Sequence, residues 1–247
     1  MTQTSNKKQL AISVKNIGVA YQRRAGFFRK EKFWALEDVS FDVFHGETLG
    51  VIGRNGVGKS TLLRLLAGII SPDRGKIINH GVNASLLSLQ VGFIQHLTGR
   101  ENAILGGMML GLSKDEILKR MDEIRSYADI GDFFDQPVHG YSLGMRARLG
   151  FSVAVYIDPE VVLLDEALGV GDELFREKSS KTIIDLVQSD KSVILVSHQP
   201  AMHRKLCDRL VWIENGEVLG VGDVDLILND YSKFNAKNKL VKPASLL

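Results

Sequence analysis

Apolar and polar positions alternate along residues 10–17 and again in Leu36-Glu37-Asp38-Val39-Ser40-Phe41-Asp42-Val43, the spacing of half-buried antiparallel strands. A strand-like pair brackets Gly75 to Leu87, with Asn79-His80-Gly81 as turn chemistry between them. From about residue 98 to 157 the period becomes helical. There Ser113 and Glu116 form a capping-box pattern, and Ile117, Met121, Ile124 and Tyr127 keep one face apolar. Glu47-Thr48-Leu49-Gly50-Val51-Ile52 reads as a buried strand, and Glu160-Val161-Val162-Leu163-Leu164-Asp165 and Ser192-Val193-Ile194-Leu195-Val196-Ser197 read as parallel strands covered on both faces. A helical stretch from Leu174 to Gln188 separates the last two. Val211 to Leu219 is a hairpin turning at Asn215-Gly216, and the polar, Lys-rich tail beyond Tyr231 reads as frayed. The pattern predicts an α/β core with an N-terminal antiparallel β subdomain and an inserted α-helical subdomain.

Composition narrows the setting. A chain of 247 residues with 45% apolar content can bury a full core. The single cysteine, Cys207, closes no internal disulfide and suits a reducing compartment, where it reads as core packing. Residues Met1 to Lys8 are polar and no signal-like apolar run follows; the longest apolar stretches fall well short of the ~18 residues that span a bilayer. A net charge of +2, with basic residues scattered through most of the chain, argues for no nucleic-acid partner.

The most informative stretch is Gly53-Arg54-Asn55-Gly56-Val57-Gly58-Lys59-Ser60, which fits the phosphate-binding pattern G-x-x-x-x-G-K-[ST] between a buried strand and a helix. The helix, Thr61-Leu62-Leu63-Arg64-Leu65-Leu66-Ala67, ends at Gly68. Glycines let consecutive N–H groups turn toward phosphate oxygens, and the helix start adds positive potential. Lys59 is expected to reach the outer phosphates and Ser60 to ligate magnesium.

Asp165 ends a strand run, which places its carboxylate at the carboxyl edge of a parallel sheet, where ligands of such folds bind. Beside a phosphate loop it would hold magnesium through water. Glu166, the next residue, can orient or deprotonate an attacking water. Tyr141-Ser142-Leu143-Gly144-Met145-Arg146-Ala147-Arg148-Leu149 sets a polar, glycine-containing turn before an apolar helix, a second helix start able to meet an anion.

These elements, in this order, resemble the ATP-binding subunits of ABC transporters over roughly residues 10 to 230. The family's signature is similar to Ser142-Leu143-Gly144-Met145, with Leu-Gly-Met in place of the usual Gly-Gly-Gln ending. Gly169-Val170-Gly171-Asp172 matches the dimer-contacting loop after the catalytic Glu, and Ser197-His198 matches the histidine that reaches the γ-phosphate. The resemblance implies a P-loop ATPase domain over residues 8–234, with the helical subdomain at about 98–157, and a polar tail at 235–247. It implies ATP and Mg2+ as ligands and catalytic roles for Glu166 and His198. Nucleotide would be held by Tyr21, by Gly53 to Thr61 and, from the other copy of a homodimer, by Ser142, Gly144 and Met145. Ser60 and Asp165 would hold the metal.

Within the family, Gly92-Phe93, Leu97-Thr98-Gly99-Arg100-Glu101-Asn102 and Asp165-Glu166-Ala167-Leu168-Gly169-Val170-Gly171-Asp172 resemble exporters of bacterial surface polysaccharides of the O-antigen and teichoic-acid types. The resemblance implies an integral-membrane permease as partner, a lipid-linked polysaccharide as load and a peripheral place on the cytoplasmic face of the inner membrane. An ATPase for another cargo, such as a drug or lipoprotein, and a non-transport ABC protein acting on ribosomes or DNA are the competing readings. Gln90 and Gln95 are both candidates for the glutamine that senses the metal site. Some relatives carry a carbohydrate-recognising domain after the ATPase; with none expected here, this chain is expected to recognise no glycan by itself. Tyr21 either stacks on adenine or is a strand-edge residue. Gly26-Phe27-Phe28-Arg29-Lys30-Glu31-Lys32-Phe33-Trp34 is either a contact with permease or lipid headgroups or a solvated loop. His96, His139 and His203 read as ordinary polar or core histidines.

Overall fold

A computed structural model describes residues 9–24, 30–87, 92–156, 158–165 and 172–240. In chain order its elements are β1 (Leu10–Arg24), β2 (Lys30–Phe44), β3 (Thr48–Ile52), α1 (Lys59–Leu66), β4 (Arg74–Asn79), β5 (Ala84–Leu87), α2 (Gly99–Met109), α3 (Lys114–Lys119), α4 (Met121–Ala128), α5 (Leu143–Val155), β6 (Val161–Leu164), α6 (Glu173–Val187), β7 (Ser192–Val196), α7 (Pro200–Leu206), β8 (Arg209–Glu214), β9 (Glu217–Gly222) and α8 (Val224–Leu240). They divide into two compact units, one built from Met1–Val82 with Ser192–Leu247 and one from Asn83–Lys191.

The first unit carries strands in the order β4-β1-β2-β9-β8-β3-β7. β1 pairs antiparallel with β2 and β4, whereas β3 lies parallel to both β7 and β8. The alternating segments thus form the antiparallel layer, and the continuous apolar runs form the parallel centre, with every residue of β3 and β7 buried. β8 and β9 form the expected hairpin. Its turn residues Asn215 and Gly216 have φ of 51° and 82°, the left-handed pair that a two-residue type I′ turn requires. One expectation fails here. The polar C-terminal stretch is not frayed through Leu240: α8 is anchored by buried Ile227 and Leu228, and Tyr231 and Phe234 set their rings edge-on to Trp212 at 5.7 and 5.2 Å.

In the second unit β5 lies parallel to β6, in register from Ala84–Val161 to Leu87–Leu164. The expected pairing of β4 with β5 therefore does not form, because β4 takes β1 as its neighbour instead. Asn79 ends β4 with its own side chain, accepting from the N–H groups of Gly81 and Val82 and donating to Val82 O. The helical part contains both capping boxes, Thr98 with Glu101 and Ser113 with Glu116. Ile117, Met121 and Ile124 are buried with Phe134, Leu149 and Val153 in its core. Half-buried Tyr127 stacks on Phe151 at 5.9 Å.

The Leu97 to Asn102 stretch explains itself physically. Asn102, buried inside α2, accepts from Ile94 N–H and donates to the carbonyls of Ile94, Leu97 and Thr98, so one amide ties the whole preceding loop. Arg100 pairs with Asp135. A Cβ at Gly99 would stand 2.2 Å from the Tyr141 hydroxyl and 2.8 Å from Phe134 O, so only glycine lets α2 start there.

Candidate nucleotide-binding site

The phosphate loop leaves β3 at Gly53 and enters α1 at Lys59. Gly56 and Gly58 hold φ of 81° and 101°, and a Cβ on Gly58 would meet Ala35 O at 2.4 Å. A Cβ on Gly53 would lie 2.1 Å from Ile213 O. The loop is thus seated between β2 and β8, and its curl is fixed by close backbone approach. No acidic residue stands in the first turn of α1 to offset the positive potential of the helix start.

Lys59 is only 7% exposed, and its Nζ donates to the carbonyls of Gly53 and Arg54, both at 2.8 Å. The ammonium lies inside the curl, where a phosphate oxygen would replace those neutral acceptors with charged ones. Ser60 is exposed and Thr61 half-buried in the first turn of α1. Arg54 turns away from the curl: its Nε donates to Glu214 Oε1 at 2.6 Å, and Nη2 approaches the same oxygen. That hydrogen bond first, and the Glu214 charge second, raise the Arg54 pKa.

A cavity of about 370 Å³ opens beside the loop, walled by Phe33 to Ala35, Arg54 to Val57 and the Asn215–Gly216 turn. Phe33 is 51% exposed, and its cross-strand partner is Tyr21, itself 43% exposed. Sequence reasoning chose Tyr21 and overlooked Phe33 as a wall of this cavity. The signal available for it was register, since partners across an antiparallel pair share a face. Of the aromatic and basic segment, Lys30 to Trp34 are strand residues of β2, and Gly26, Phe27, Phe28 and Arg29 lie outside the described residues.

His198 is exposed on the loop between β7 and α7, directly after buried Ser197. His203, one of the three read as ordinary polar or core histidines, is 0% exposed on α7. His96 and His139 are exposed.

In the second unit, Ser142 is the N-cap of α5, its Oγ accepting from Met145 N–H at 3.1 Å. Leu143 is 79% exposed beside it, and Gly144 and Met145 are half-buried in the first turn. From the next turn, Arg148 reaches the Asp172 carboxylate, which also caps α6 by accepting from Phe175 N–H at 3.0 Å. That backbone hydrogen bond first, and then Arg148, hold the Asp172 carboxyl below its ordinary value. α5 and the N-cap of α6 are therefore tied by a residue that sequence reasoning did not single out. Asp165 is half-buried just past β6. Glu166, Gly169, Val170, Gly171 and Gln90 lie outside the described residues; Gln95 is exposed, and its carbonyl accepts from His139 N–H.

A phosphate loop on a mixed sheet, with a separate unit carrying a capped glycine-containing helix start, defines an ABC-type ATPase cassette. The family model for ABC transporters matches residues 36–169. The chain is 40% identical over 224 residues to the O-antigen export system ATP-binding protein RfbB of Klebsiella pneumoniae, spanning 91% of each. It is 42% identical over 206 residues to the teichoic acids export ATP-binding protein TagH of Listeria innocua, covering 83% of this chain and 61% of that protein. Among solved structures, the ATP-binding cassette MJ0796, a dimer bound to ADP and Pi, shares the fold with a TM-score of 0.69 at 23% identity, over 86% of this chain and 98% of that one. The chain belongs to the ABC transporter family, as one of its ATP-binding, ATP-hydrolysing subunits.

Proposed function

We propose that this chain powers the export of a lipid-linked surface polysaccharide through a separate integral-membrane permease, working as a homodimer on the cytoplasmic face of the inner membrane. The observation that carries this reading is its 40% identity, over 91% of both chains, to an O-antigen export ATP-binding protein. The teichoic-acid relative supports the same class of load. Among the described residues no helix is long and apolar enough to cross a membrane.

ATP binds with its outer phosphates in the curl of Gly53 to Thr61, where Lys59 exchanges two loop carbonyls for phosphate oxygens. Because the curl is already formed, little ordering opposes binding. The base lies toward the cavity beside Phe33, with Tyr21 as the stacking aromatic. Mg2+ would be held by Ser60 and, through water, by Asp165; a hydroxyl and a carboxylate form the all-oxygen donor set that such a hard cation takes. When bound, it neutralises charge on the outer phosphate oxygens. Glu166 accepts the proton of the attacking water, and His198 reaches the γ-phosphate. Ser142, Gly144 and Met145 of one copy meet the nucleotide held by the other, so ATP closes the pair and hydrolysis reopens it.

Deleting the chain should remove polysaccharide from the cell surface, and the wild-type chain but not Lys59→Ala should restore it; unaltered surface glycan in the deletion would overturn the export reading. A mixed dimer of Ser142→Arg with Lys59→Ala tests the shared site. It keeps one intact composite site, and so measurable hydrolysis, only if each site draws on both chains.

A further inference from the structure

We propose that His203 is a positioning residue for His198, fixing the backbone from which that histidine reaches the nucleotide. The proposal rests on the reading of His198 as a γ-phosphate contact, and goes beyond it to a second, buried histidine.

The geometry is a chain of two contacts. His203 Nε2 lies 2.9 Å from Ser197 O, the carbonyl of the peptide unit that leads into His198. A carbonyl oxygen can only accept, so Nε2 carries a hydrogen, and in a ring with a single hydrogen Nδ1 is then an acceptor. Cys207, one turn further on, places Sγ 3.5 Å from Nδ1. Burial pushes the Cys207 thiol pKa up to about 12, so it keeps its proton and can supply that hydrogen bond. Cys207 thus selects the tautomer with which His203 holds Ser197.

The loop is pinned from its other side as well, because Gln199 N–H donates to Ser197 Oγ at 3.1 Å. Ser197 is 1% exposed and His203 is 0% exposed, whereas His198 between the two clamps is exposed. A fixed backbone therefore carries an outward side chain. The floor under the ring is Gly50 of β3: a Cβ there would stand 2.7 Å from His203 Nδ1 and 2.8 Å from Cys207 Sγ. β3 runs on directly into the phosphate loop at Gly53, so one strand supports both the loop that holds phosphate and the ring that sets the histidine. A packing role alone would be met by any apolar side chain of similar volume; the donated hydrogen bond to Ser197 O requires a ring nitrogen or its mimic.

The test compares His198→Ala, His203→Leu, His203→Gln and the His198→Ala/His203→Leu double variant in the full chain, by ATP affinity, kcat and melting temperature. His203→Leu should lower kcat by about 10- to 100-fold, the scale of a small misplacement of a reacting group, with ATP affinity unchanged. His203→Gln, which keeps an N–H for Ser197, should recover most of the loss. The double variant should be no slower than His198→Ala, because nothing remains to position. Wild-type kcat in His203→Leu, or a loss that multiplies in full with that of His198→Ala, overturns the proposal alone. Wild-type kcat in His198→Ala overturns the reading of His198 and the proposal with it. Should His203→Leu fail to fold, nitrogen NMR of the His203 ring in the wild-type chain decides: hydrogen on Nε2 supports the contact, and an Nε2 without hydrogen overturns it.

Discussion

Arg54, inside the phosphate loop, closes on Glu214 across 160 positions of sequence, and the two ends of the pair sit in different surroundings: the Arg54 side chain is 46% exposed and that of Glu214 is 0% exposed. Glu214 Oε2 has no hydrogen-bond partner among the described residues, so Oε1 and Arg54 carry the whole satisfaction of that carboxylate. The asymmetry makes a prediction. Arg54→Ala strands a buried carboxylate and should cost about 2–3 kcal/mol, under the ~3–5 of a wholly buried pair because Arg54 is half in water. Glu214→Gln keeps an oxygen that accepts from Arg54 and removes the buried charge, costing about 1 kcal/mol. Urea unfolding without nucleotide checks the order, and a larger loss in Glu214→Gln would contradict it.

The division of labour at the phosphates gives a second expectation. Lys59 sits inside the curl, so Lys59→Ala removes the charge that phosphate meets and should weaken ATP binding itself. Glu166→Gln removes only a proton acceptor; it should bind ATP normally and lose about 10²- to 10⁴-fold in turnover. Nucleotide affinity and steady-state hydrolysis, measured side by side, separate the two roles. Near-normal turnover in Glu166→Gln would remove it from the reaction.

What could be read from the chain was local. Period-2 and continuous apolar runs located β1, β2, β3, β6 and β7, the Asn215–Gly216 turn marked its hairpin, and Ser113 with Glu116 capped a helix, because each depends on residues a few positions apart. The glycine loop was legible at its place between β3 and α1 for the same reason. Pairings set by tertiary packing were not. β4 and β5 look like one hairpin but take separate partners. The tail past Tyr231 looks polar, yet Phe234 on Trp212 makes it a helix. Phe33 in the cavity wall, Arg148 on Asp172 and His203 under Ser197 each owe their place to residues far away or on another element.

Acid should loosen the helical part of the second unit. Glu101 lies below its ordinary value of 4.5 because it accepts from the Thr98 N–H and hydroxyl; Glu116 does so through the Ser113 hydroxyl and N–H; Asp135 lies below 3.8 through its hydrogen bond from Arg100. Between the folded and ordinary values the unfolded chain binds more protons, so these groups stabilise the fold above their ordinary values. That contribution fades as pH falls from 4.5 through the lower folded values. The Glu101→Gln/Glu116→Gln variant keeps acceptors at both caps but no longer titrates there. Its urea midpoint should fall less steeply with pH below that point than the wild type's, and parallel curves would count against the caps as the source.

Substitutions in the segment from Gly26 to Trp34 offer a test that separates transport from ATP chemistry. Phe27 and Phe28 offer apolar contact, and Arg29, Lys30 and Lys32 offer charge suited to anionic headgroups or a diphosphate-linked lipid, each contributing on the order of 1 kcal/mol at an anionic surface. Phe33, by contrast, belongs to the cavity wall, and Trp34 is covered by Lys32 and Arg74 at 4.3 and 4.2 Å, so both are left intact in the test. Replacing Phe27, Phe28, Arg29 and Lys30 together by serine should leave hydrolysis by the purified chain nearly unchanged, since none of them is assigned to the phosphate loop or the cavity. The same variant should reduce polysaccharide at the cell surface if the segment meets the permease or the membrane. Surface-glycan staining beside an ATPase assay reads both halves. Normal surface glycan with normal hydrolysis would make the segment a solvated loop, and a loss of hydrolysis in the purified chain would place it in the nucleotide site instead.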